Sequence, residues 1–130
     1  MDFLPLTRAD DLGWHALCDE IAPWIGERAV MHFSYAISDE YGSAVTTRYF
    51  RDILIAAGDD PDHPQVTETE QLIIDWGRLI VSSPRDITEA FYARLEGAFT
   101  PARRLALLSF AARVVAINLV NTVGRVPVDA

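Results

Sequence analysis

Tyr41-Gly42-Ser43-Ala44-Val45-Thr46-Thr47-Arg48-Tyr49-Phe50-Arg51-Asp52-Ile53-Leu54-Ile55-Ala56-Ala57-Gly58 reads as one amphipathic helix closed by a glycine. Thr46, Tyr49, Phe50, Ile53, Leu54 and Ala57 recur at helical spacing and point broadly inward, whereas Arg48, Arg51 and Asp52 point outward. The helix begins near Ser43, and Gly58 is a natural residue for the position just past its end. Ser43, Thr46 and Phe50 stand at i, i+3 and i+7, so two hydroxyls fall on the otherwise apolar face. That polar pair makes the face a candidate site.

Upstream, Asp10 or Asp11 can cap a first helix with the stripe Trp14, Leu17, Cys18, Ile21 and Ile25, which Pro23 is expected to end or bend. Cys18 lies within the stripe and reads as a small buried hydrophobe rather than a reactive thiol. His15, four residues after Asp11, suits a surface pair. A second helix runs from Gly26 to about Ser38 with Val30, Phe33, Ser34 and Ile37 inward. His32 projects from its flank, where a solvent-facing or hydrogen-bonded imidazole is the expectation. Asp39 to Gly42 reads as a break before the opening stretch.

Downstream, Asp59-Asp60-Pro61-Asp62-His63-Pro64 lacks the spacing of a calcium loop and reads as a proline-pinned connection, with no metal expected. Thr67 and Glu70 form a capping box for a fourth helix with Leu72, Ile73, Trp76, Leu79 and Ile80 inward. Gly77 signals a close neighbour, and Ile74 falls on the polar side with Asp75 and Arg78. Ser82-Ser83-Pro84 ends this helix, and Thr88 caps a fifth carrying Phe91, Tyr92, Leu95, Ala98 and Phe99. Thr100-Pro101 opens the last and longest helix, apolar nearly all round from Leu105 to Val123 and ended by Gly124. Such a helix is buried by its own chain and by a partner subunit, while Arg113, Asn118 and Asn121 argue against a membrane span. Six helices and no alternating strand make one all-α domain over residues 1–130.

Composition narrows the function classes. Nineteen acidic residues against eleven arginines give a net charge of −8 with no basic run, which speaks against nucleic acid. Half the residues are hydrophobic, rich for 130 residues, so self-association is expected. No secretory signal pattern opens the chain and no 18-residue uninterrupted apolar run occurs, which points to a cytoplasmic, soluble protein without a membrane partner. The single cysteine excludes an intramolecular disulfide and a Cys-x-x-Cys motif.

The run Phe50 to Pro61, Thr67 to Leu72 with Asp75-Trp76-Gly77-Arg78, and the final helix with Phe110-Ala111-Ala112, Ala116 to Asn121 and Arg125-Val126-Pro127-Val128-Asp129 together resemble the carboxymuconolactone decarboxylase family, which includes the alkylhydroperoxidase D-like proteins. The resemblance spans residues 33–129 and implies a six-helix alkylhydroperoxidase D-like domain that assembles as a dimer, trimer or higher ring. Redox members carry Cys-x-x-Cys-x-x-x-His on one helix, with a glutamate on the helix before it. Here the matching positions hold Ser43, Thr46 and Phe50, and the glutamate position falls near Met31 or His32. A slip in alignment substitutes Thr47 or Tyr49, and no slip supplies a cysteine.

Three functions follow as expectations. The first is a cofactor-free, non-redox oligomeric domain that binds a small apolar ligand or partner at the degenerate site. The second is a decarboxylase or isomerase of a small carboxylated lactone or oxoacid, with His32 as acid and base and Tyr35, Tyr49 or Arg48 orienting the carboxylate. For this reading His32 must open into a pocket lined by Ser43, Thr46 or Tyr49. The last is a thiol peroxidase through Cys18.

Overall fold

Capping chemistry sets the helix starts. Ser43, Thr67, Thr88 and Thr100 each accept the backbone N–H three residues on, and Thr67 and Glu70 complete a reciprocal capping box. The computed structural model describes residues 13–128, so the expectations resting on Asp10, Asp11 and Asp129 lie outside the described residues. Among these residues there are six helices and no strand: α1 (Trp14–Ile25), α2 (Glu27–Tyr41), α3 (Ala44–Ala56), α4 (Glu68–Ser82), α5 (Glu89–Ala98) and α6 (Pro101–Val123).

The hub is α2, not the helix from which the sequence reads outward. It packs against α1, α3, α4 and α6, and its residues Ala29, Val30, Phe33, Ser34, Ala36, Ile37 and Ser38 are all at most 1% exposed. Small side chains let several helices approach it at once. At Gly77 of α4 an added Cβ would meet Phe33 Cδ1 at 3.0 Å and Ile37 Cγ1 at 3.1 Å, so the close neighbour expected there is α2. Phe33 stacks between Trp76 and Phe110, which ties α2, α4 and α6 into one core.

Several boundaries differ from expectation. Pro23 lies inside α1, two residues before its end, where its ring disturbs one turn without stopping the helix. The second helix continues past Ser38 to Tyr41, and Gly42 alone, at φ 93°, makes the break. Ile74 is buried, at 8% exposure, because α4 is contacted on more than one side. Ala57 is exposed just past the end of α3. At the end of α6 the left-handed residue is Arg125 at φ 58°, while Gly124 keeps a helical φ with no room for a Cβ, which would fall 2.6 Å from the Val120 carbonyl oxygen.

Helix α6 lays one side on α1, α2 and α3 and leaves the other bare. Its buried side carries Leu107, Phe110, Val114 and Ile117 with the polar pair Asn118 and Asn121. Its bare side carries Leu105, Leu108, Leu119 and Val123, each at least 44% exposed. By length and composition it is the one described helix long and apolar enough to cross a membrane, with 44% of that window buried inside the domain.

Candidate functional site

The face that singled out α3 is closed. Phe50 is 2% exposed and packs on Trp14 and Tyr49, as a core aromatic does. Ser43 Oγ and Thr46 Oγ1 lie 3.0 Å apart, and Asn121 Nδ2 donates to Thr46 Oγ1 at 2.9 Å. Asn118 Nδ2 similarly donates to Ser38 Oγ at 3.1 Å and to the Val114 carbonyl. These hydroxyls and amides stitch α6 to α2 and α3 in the buried interior, with no imidazole or carboxylate among the partners named. They hold helices in register rather than activate a nucleophile.

His32 belongs to a different neighbourhood. Gly58, at φ 89°, closes α3 in a Schellman turn in which the Asp59 N–H reaches the Leu54 carbonyl and the Gly58 N–H reaches that of Ile55. The turn delivers the Asp59 carboxylate to α2, where Arg28 Nε donates to both oxygens at 2.9 and 3.0 Å. Arg28 also donates to Glu70 Oε1 and to the Gln65 carbonyl, binding α2, the loop and α4 together. His32, only 2% exposed, faces Asp59 Oδ2 from 3.5 Å without hydrogen-bond alignment, so the imidazole is neither solvent-facing nor hydrogen-bonded through Nε2. Burial pushes its pKa down, with Asp59 opposing that push. His32 lines none of the clefts described below, and Ser43 and Thr46 are not among its partners.

Arg48, Thr47 and Ser43 border a shallow recess of about 300 Å³ at the start of α3, together with Arg51. Its cations are engaged. Arg51 pairs with both oxygens of Asp62 and donates to Tyr35 Oη at 3.2 Å, and Arg48 lies 3.8 Å from Asp52. The bond from Arg51 holds the Asp62 carboxyl below its usual range. Tyr35 is thus a buried strut for Arg51.

The arrangement that sequence reading missed lies between α1, α2 and α3. Trp14, Cys18 and Ala22 from one turn after another of α1, Val30 and Met31 from α2, and Tyr49 and Ile53 from α3 wall a cleft of about 390 Å³. Each contributes through its own helical periodicity, so the site appears only once three stripes are brought face to face. Asp19 and Glu27 stand at its rim with His15. Cys18 is half-buried here, not sealed in the core, and its thiol is pushed up to about 12, first by burial and then by Asp19. Burial also raises the Tyr49 phenol, with Cys18 adding to the effect. The Trp14 indole N–H is buried and has no acceptor. A larger groove of about 480 Å³ between α4 and α5 is walled mostly by exposed polar residues and holds none of the candidates.

No group of three or more His, Cys, Asp or Glu side chains among the described residues is placed to hold a metal ion. Comparison of the chain with protein families, with curated proteins and with solved structures finds no match.

Proposed function

We propose that this protein is a carboxymuconolactone decarboxylase-like, non-redox helical domain that binds a small, largely apolar molecule in the cleft between α1, α2 and α3 and works as a homo-oligomer. The observation that carries the reading is the cleft itself: an apolar chamber of about 390 Å³ whose only thiol is held protonated. With its pKa pushed up to about 12, Cys18 is held as the thiol at neutral pH, and the chain carries no second cysteine to resolve a sulfenic acid within one subunit. Tucked against Asp59 and apart from the cleft, His32 has no route to a substrate held there. The lyase reading therefore ranks below the binding reading.

Self-association is assigned to the bare side of α6. Leu105, Leu108, Ala112 and Leu119 form a stripe on that side that can pair with its own copy about a two-fold axis. Sedimentation of the parent should show a concentration-dependent oligomer, and the Leu108→Glu/Leu119→Glu double variant should sediment as a folded monomer. The ligand reading is tested by thermal shift with 4-methoxybenzyl alcohol: the parent should be stabilised, and Ala22→Phe, which fills the cleft, should lose the response. An equal shift in both would place the binding elsewhere.

A further inference from the structure

The cleft is apolar within and acidic at its mouth. Val30, Met31 and Ile53 offer only hydrocarbon and thioether surface, whereas Asp19 and Glu27 put two carboxylates at the rim, and no arginine among the described residues lines the wall. Neither carboxylate forms an ion pair among the described residues, although the chain's arginines engage Asp39, Glu40, Asp52, Asp59, Asp62 and Glu70 elsewhere. Among the described residues the two carboxylates thus keep their charge free for a bound cation.

Resting on the apolar-ligand reading above, we propose that the cleft selects an organic ammonium: an apolar body with a cationic head beside Asp19 and Glu27. A carboxylate head would meet two like charges, so the acidic substrates implied by the family resemblance are disfavoured at this cleft.

Isothermal titration at pH 7 with 4-methoxybenzylammonium, 4-methoxybenzyl alcohol and 4-methoxybenzoate tests the choice, because the three share a body and differ in head charge. The ammonium should bind about five- to tenfold more tightly than the alcohol, the sum of two partly exposed ion pairs, and the benzoate most weakly. In Asp19→Asn/Glu27→Gln the ammonium should fall to within about twofold of the alcohol, whose own affinity stays put. Alcohol or benzoate binding as well as the ammonium, or an ammonium preference that survives the double variant, overturns the charge assignment and leaves the apolar cleft standing. If none of the three binds, the cleft reading falls with it.

Discussion

Gly77→Ala should destabilise the fold although it replaces glycine by the best helix former, and the structure sets the size of the effect. The new methyl would lie 3.0 Å from Phe33 Cδ1, 3.1 Å from Phe33 Cε1 and 3.1 Å from Ile37 Cγ1. Phe33 cannot swing aside, since it is fully buried between the rings of Trp76 and Phe110 at centroid distances of 6.4 and 5.9 Å. Overpacking of a tight core costs about 1–3 kcal/mol, and the gain in helix propensity returns about 1 kcal/mol, so a net loss of up to about 2 kcal/mol remains. Gly97→Ala is the internal control: its Cβ meets nothing within 4 Å, so propensity acts alone and should stabilise by up to about 1 kcal/mol near the end of α5. Urea unfolding of both variants reads the difference, and melting temperatures should move apart by several degrees. A Gly77→Ala protein as stable as Gly97→Ala would show that α2 and α4 are not in the contact described.

Three further outcomes follow from the interior. Alkylation of Cys18 by iodoacetamide at pH 8 should run at least about 100-fold slower in the folded protein than in urea, and Cys18→Ser should leave any hydroperoxide consumption unchanged. Thr46→Val removes the acceptor of the buried Asn121 amide and should cost about 1–3 kcal/mol in urea unfolding, whereas Thr47→Val, at a half-buried neighbouring position, should cost less. Because the folded pKa of His32 lies below its ordinary 6.5, the neutral imidazole contributes stability that is fully present above pH 6.5 and is lost as pH falls below it. His32→Gln should accordingly flatten the decline in stability between about pH 6.5 and 5, and an unchanged slope would contradict the buried, neutral assignment.

Local chemistry was legible in the sequence. The caps at Ser43, Thr67, Thr88 and Thr100 depend on residues within one turn, as does the closing glycine of α3, and all stand where the spacing put them. The all-helical class follows from the same signals. What one helix's periodicity cannot show is which neighbour it meets. His32 and Ile74 lie off their stripes yet are buried, because a helix with several neighbours has no single inward face. The hydroxyls of Ser43 and Thr46 stood out correctly as a polar break in an apolar face, but their partner Asn121 is 75 residues away from Thr46, and it turns a candidate pocket into a sealed joint. The cleft was not legible for the same reason: Cys18, Met31 and Tyr49 are singled out separately on three helices, and only the packing of α1 on α2 and α3 makes them neighbours.

The most direct test is a ¹H–¹⁵N correlation spectrum of the protein titrated with 4-methoxybenzyl alcohol. Saturable shifts concentrated at Cys18, Val30, Met31, Tyr49 and Ile53, and absent in Ala22→Phe, are the result expected of a ligand-binding cleft between α1, α2 and α3. Shifts confined to the recess at Thr47 and Arg48, to the groove between α4 and α5, or to no site at all would contradict it.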